Sequence, residues 1–307
     1  MPVATAGLSP LKIALGPDAT GVFDVGVPVL AGEAVEHLFG DAQHTGHAGS
    51  LSLFQAGDWQ LGAATVPLTG GLEDATHKLY ASILEATRGV NLARIWNYVP
   101  AINSPGPSGT ENYRLFCRGR SHAFEQHHGA EFKIHLPSAS AVGSKSAHLT
   151  VVFAANPAMP RHVENPLQTP AYDYPQEYGP RAPSFARATV VPDGQGSTVF
   201  ISGTAAIRGH ATVAPQSTRL QLEYTLENLD GISRACGLGA ALDKGGAAAR
   251  HFKVYVRHAE DQPLVAAILQ RDLFTSHDRV AYLQAEICRA TLLVEIEASL
   301  FGVRSVA

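Results

Sequence analysis

The chain has 307 residues, 45% of them hydrophobic and 16% charged, enough to bury a large core in one or two domains. A formal charge of −4 and the lack of any Lys/Arg run argue against nucleic acid as a partner, so the basic groups that matter must be focused in a pocket. No apolar segment approaches the roughly 18 residues of a membrane helix, MPVATAGLSPLKIALGP has no basic leader, and three scattered cysteines fit reduced thiols, so a cytoplasmic protein without membrane contact is expected.

In chain order, DWQLGAATVPL reads as a strand. A helix is predicted over 72–88, with Leu79, Ile83 and Ala86 on one face and Gly89 at its end. ARIWNYVP is a second strand, ENYRLFCRGRSHAF a second helix and AHLTVVFAA a third strand. NPAMPRHVENPLQTPAYDYPQEYGPRAP follows, rich in Pro and Tyr and without periodicity, which reads as an ordered connection or a lid. TVFISGTAAI then begins the same series again. A helix over 215–236 carries Leu222, Leu226, Leu229 and Ile232 as its stripe, HFKVYVRH is a strand, a helix opens at Asp261 and Pro263, and LLVEIEASL closes. The fold class is therefore α+β: two tandem copies of one unit, each a mixed sheet with helices packed on one face. The copies are assigned to 1–156 and 189–307, joined by 157–188.

The closing strand carries two acids. Glu295 and Glu297 share a face, and when AHLTVVFAA is laid on this strand, Val151 falls opposite Glu295 and Phe153 opposite Glu297. The unit itself does not require the acids. Two partly desolvated carboxylates on one face push at least one pKa upward, the condition for a proton donor near neutral pH.

On the second helix Tyr113, Phe116, Cys117, Arg120 and Phe124 share one face, placing Arg120 inside an apolar stripe, where it requires an internal carboxylate or a ligand anion. Arg114 and Arg118 lie on a neighbouring face within reach of Glu111, and Arg187 sits just past the connection. Gly203 interrupts a strand, the mark of a bulge or a close approach. Cys288 reads equally as a small buried hydrophobe or a pocket-lining thiol. The pairs His44/His47 and His127/His128 have no third ligand at metal spacing, and no phosphate loop, nucleotide fingerprint or nucleophile elbow is present, so neither metal nor organic cofactor is expected.

VFISGTAAIRGH, TRLQLEYTLENLDGISRACG and LVEIEA resemble the reactive-intermediate (imine) deaminase fold, which the trimeric chorismate mutases share in outline. Over nearly the whole chain, RIWNYVPAIN, ENYRLFCRGRSHAF, PSFARA, SGTAAIRGH and CRATLLVEIE are similar to the chorismatase family, whose members release pyruvate from chorismate. The arginine that deaminases place before the closing strand falls at or beside Val280, which argues against imine deamination. The resemblance implies that Glu295 protonates the enolpyruvyl methylene, that Arg120 and Arg114 bind substrate carboxylate and that Arg187 completes the anion site, with Tyr113 beside them. Glycine at 203 and cysteine at 288 match the aromatising members, which form 3-hydroxybenzoate and in some cases 4-hydroxybenzoate. The glycine is expected to give the substrate ring room to turn so that its own hydroxyl captures the cation. Hydrolysis to a dihydroxycyclohexadiene carboxylate and a noncatalytic binding role stay open at this level, as does a homo-oligomer, since the single-unit relatives trimerise.

Overall fold

The computed structural model describes residues 7–304 apart from positions 41, 195, 241, 243–245 and 247. The chain opens with strands β1 (Pro10–Ala14), β2 (Val22–Ala31) and β3 (Val35–His37). The first repeat follows as β4 (Gln43–Ala48), β5 (Leu51–Ala56), β6 (Trp59–Pro67), α1 (Leu72–Ala86), β7 (Asn91–Pro100), α2 (Asn112–His128), β8 (Ser138–Ser144) and β9 (His148–Asn156). After β10 (Arg161–Val163), the second runs β11 (Ala188–Asp193), β12 (Gly196–Ala205), a small hairpin of β13 (Ile207–Arg208) and β14 (Ala211–Thr212), and α3 (Thr218–Ala235). It ends with β15 (Ala249–Val256), α4 (Gln262–Asp272), β16 (Arg279–Gln284) and β17 (Val294–Val303).

The duplication is explicit in the strand order. One sheet runs β4-β5-β6-β9-β7-β8, the other β10-β11-β12-β17-β15-β16 and then on through β2-β1-β3. In each, the last strand of the unit lies between the first and second strands of its strand–helix–strand run, and β7·β8 and β15·β16 are corresponding parallel pairs, beside a third, β1·β3, in the extension. Each helix pair covers one face of its own sheet. Leu79, Ile83, Phe116 and Phe124 pack on Val151 and Phe153, whereas Leu222, Leu229, Val265 and Ile268 pack on Val294 and Ile296. The other faces meet in a third core that includes Trp96, Val152, Phe200 and Tyr255. The layers are thus helix, sheet, sheet, helix.

Three features differ from the sequence expectation. Residues 10–37, assigned to the first copy, pair through β2 with β16 and extend the second sheet. The strands β8 and β16 carry little alternation of their own: β8 is SASAVGS, buried along its whole length, so period-2 patterning cannot mark it. The overlay of the closing strands is off by one residue. Val151 and Phe153 face the helices, while Glu295 and Glu297 face the opposing sheet, where β9 presents Val152 and Ala154. A one-residue slip exchanges every side chain between faces. The conclusion that the unit does not need acids here survives the correction.

Candidate active site

Glu295 lies near the start of β17, paired with Tyr255 of β15 and Ala205 of β12, and is 3% exposed. The pairing of β12 with β17 slips between Ile201 and Thr204, so Ser202 and Gly203 bulge there. This brings Gly203 against the acid: a Cβ at residue 203 would stand 2.1 Å from Glu295 Oε1 and 2.6 Å from its Cδ. The glycine therefore makes room for the carboxyl, and it also lines the cavity, where the sequence reading had it make room for the substrate ring. Ser202 fixes the bulge by donating to Ala186 O at 2.6 Å and accepting from Ala139 N at 2.9 Å, which ties both sheets together.

Glu295 faces a cavity of about 230 Å³ between the two repeats, with a recess of about 30 Å³ beneath it. The recess is bounded by Tyr113, Arg120, Ser140, Phe185, Gly203 and Cys288. Arg120 is 1% exposed, and among the described residues no acid forms an ion pair with it. Its guanidinium instead lies 5.2 Å from the Phe116 ring centre and 5.8 Å from that of Phe185. Of the two options that the sequence left, the internal carboxylate is not there; a desolvated cation held between rings at the floor of a cavity is suited to a ligand anion.

Arg187 is buried at the cavity wall. It donates to Tyr174 Oη at 2.7 Å and to Thr169 O at 3.1 Å, with Glu164 behind it at 4.0 Å. Burial pushes the Glu164 carboxyl up to about 7, against the pull of Arg187. Arg114 stands at the mouth, 41% exposed and 3.5 Å from Glu111, while Arg118 leaves the site to pair with Glu73. Tyr113 lines the cavity, and burial drives its phenol well above the usual range, so it stays neutral. Burial, reinforced by Glu295, pushes the Cys288 thiol up to about 12. A neutral thiol is a wall, not a nucleophile.

Arg289 escaped the sequence reading because it lies in a loop without periodicity. It lines the cavity, donates to His210 O at 2.8 Å and lies 4.0 Å from the Tyr178 ring centre and 5.1 Å from that of Tyr174. Arg257 holds this loop by donating to the carbonyls of Leu292, Arg289 and Ile287. Tyr174, Tyr178, Pro183 and Phe185 bring the Pro/Tyr-rich connection over the cavity as one of its walls.

Glu295 Oε1 is buried and accepts no hydrogen bond from any described residue. Burial raises its pKa, the neighbouring Glu297 adds to this, and Arg94 and Arg187 oppose both, leaving it at about 8. Glu297 shows the reverse. Burial works to raise it too, but Lys253 and Arg94 outweigh burial and hold its carboxyl below the usual range. The pair thus consists of one neutral acid and one fixed carboxylate. Among the described residues, no group of three or more His, Cys, Asp or Glu has metal-holding geometry, and no helix is long and apolar enough to cross a membrane.

A family model described as chorismatase FkbO/Hyg5-like, N-terminal, matches residues 37–155. A 3-hydroxybenzoate synthase of Streptomyces hygroscopicus is 38% identical over 268 residues, covering 84% of this chain and 78% of that protein. A chorismatase of Streptomyces rapamycinicus is 38% identical over 270 residues, covering 85% and 80%. The crystal structure of a chorismatase matches with a TM-score of 0.78 at 29% identity, over 97% of this chain and 95% of that one. With this coverage at both ends of the comparison, the chain belongs to the chorismatase family.

Proposed function

We propose that the chain converts chorismate to 3-hydroxybenzoate and pyruvate, with Glu295 as the acid that protonates the enolpyruvyl group. The observation that carries this reading is the buried, unpartnered Glu295 Oε1, kept neutral to about pH 8, beside a recess that also holds the guanidinium of Arg120, whose Nε is buried without a partner. Chorismate has two carboxylates. Arg120 at the floor takes the enolpyruvyl carboxylate, beside the acid, and Arg187 and Arg289 take the ring carboxylate, with Arg114 at the mouth. The cavity, about 230 Å³, is smaller than the usual ligand range of about 300–1,000 Å³, which restricts it to a compact acid.

Glu295 gives its proton to the terminal methylene, which becomes the methyl of pyruvate, and positive charge develops on the ether carbon. The adjacent ring hydroxyl adds to that carbon. The proton of that hydroxyl passes to the original ether oxygen as the ether bond on the pyruvyl side breaks, leaving the phenol on the ring. The bond from the added oxygen to the ring breaks too, so this oxygen leaves in pyruvate, and loss of the ring C–H proton at the phenol carbon restores aromaticity. Chorismate contains all the atoms of both products, so no water is consumed, and the Glu295 carboxylate left by the first step is placed to take the ring proton. Cys288, held neutral, and Phe185 wall off the site against competing water.

The test is one incubation with chorismate, chromatography of the aromatic acids and reduction of pyruvate as it forms. Equal amounts of 3-hydroxybenzoate and pyruvate are expected, and 4-hydroxybenzoate is resolved in the same run. A dihydroxycyclohexadiene carboxylate as the main product, or no pyruvate from folded protein, rejects the proposal.

A further inference from the structure

The core between the sheets holds four buried or largely buried charged groups that packing does not require. Glu297 accepts from Arg94 Nη2 at 2.8 Å, from Trp96 Nε1 at 2.9 Å and from Lys253 Nζ at 2.8 Å, and Lys253 also pairs with Glu36 at 2.8 Å. The first repeat presents Val152 and Ala154 on the corresponding face of its closing strand, so that strand of the unit does not itself require acids. Withdrawing such groups from water carries a large desolvation penalty, and apolar replacements of similar volume are often as stable or more so. What the cluster does secure is a carboxylate of fixed charge and position, two residues along β17 from the acid and on the same face.

We propose that Glu297 is a positioning residue for the reaction: clamped in its ionised form by Arg94 and Lys253, it holds the neighbouring Glu295 carboxyl protonated and ready to donate. This rests on the reading of Glu295 as the acid. Two residues of strand separate the carboxyls by roughly 6.6 Å, and at an effective dielectric constant of about 20 a fixed negative charge at that distance displaces a carboxyl by roughly two pH units. The other groups facing Glu295 do not substitute for it. Arg94 on β7 and Arg187 ahead of β11 act in the opposite direction. Tyr255 on β15 and Cys288 before β17 are neutral, because burial holds the phenol well above its usual range and the thiol at about 12. Tyr113 on α2 is likewise neutral, and Arg120 and Arg289 are cations. Glu36, which burial raises, touches the cluster only through Lys253.

The experiment is the pH dependence of kcat in wild type, E297Q, R94Q and E295Q. Wild-type kcat should fall as pH rises through about 8, where the acid loses its proton. In E297Q that limb should move down by roughly one to two units, since the like charge is gone and Arg94 loses its carboxylate partner, so kcat at pH 8 drops roughly five- to fifty-fold relative to wild type while at pH 5.5 it changes far less. In R94Q, where an opposing cation is removed, the limb should move up. Opposite displacements are not expected of a merely structural cluster; limbs unmoved in both variants, or moved in the same direction, overturn the proposal. Should E297Q fail to fold, the upward displacement in R94Q carries the test alone. E295Q separates the two claims: with E295Q inactive and the limbs unmoved, only the role of Glu297 falls, whereas full turnover by E295Q removes the acid itself.

Discussion

Gly203→Ala is the sharpest probe of the site, because its consequence follows from three distances. The added methyl would stand 2.1 Å from Glu295 Oε1, 2.6 Å from Cδ and 3.3 Å from Cγ. Ordinary contact begins at roughly 3.4 Å, so the carboxyl must withdraw by about 1.3 Å. Gly203 does not have a positive φ, so the backbone accepts alanine and the effect is confined to the side chain it displaces. Displacement of a reacting group by about 1 Å costs on the order of 100-fold in rate, or about 2.7 kcal/mol of transition-state stabilisation. Selectivity should suffer as well. A well-aligned neighbouring hydroxyl has an effective molarity of about 10⁵–10⁸ M, which lets it outrun water, and a donor that has moved no longer delivers the cation in that alignment. The expected result is a kcat/KM lowered by about 100-fold with a rising share of dihydroxycyclohexadiene carboxylate, read by chromatography of the quenched reaction, while the melting temperature stays near wild type. An unchanged product ratio with kcat/KM within two-fold of wild type would refute the steric argument and with it the place assigned to the carboxyl.

Glu295→Gln should lower kcat by about 10²–10⁴-fold. It should also stabilise the fold in mildly alkaline solution: the folded-state pKa, about 8, lies above the ordinary 4.5, so the native state loses stability as pH rises between these values. The gain, roughly 4 kcal/mol at pH 8 and vanishing near pH 4, is measurable by urea denaturation at both pH values; equal gains at both would contradict it. Arg120→Met should reduce kcat/KM by roughly 10–100-fold, mainly through KM, and Arg120→Lys should not restore it, because the planar fork between Phe116 and Phe185 is lost; initial-rate kinetics decide this. Iodoacetamide at pH 7.5 should leave activity intact, since the Cys288 thiol is pushed up to about 12, and rapid inactivation with alkylation mapped to Cys288 by mass spectrometry would show a reactive thiolate instead.

The sequence by itself determined the repeated strand–helix–strand unit, because amphipathic periods and the stops at Gly89 and Gly237 are local properties. It also exposed Arg120, a charge inside an apolar helical stripe, and the two glutamates in a strand, since each breaks a pattern that its own neighbours establish. Tertiary structure alone decided which face those glutamates occupy and what each became. Glu297 meets Arg94 and Trp96 from about 200 positions earlier, whereas Glu295 is left without a hydrogen-bond partner on Oε1. The pairing of β2 with β16, the burial of SASAVGS as β8 and the arrival of Arg289 under Tyr178 likewise depend on segments far apart in the chain. The physical reason is the same in each case. Strand register, sheet pairing and desolvation are fixed by contacts across the interface between the repeats, and a pKa near 8 belongs to that buried environment and not to the residue that shows it.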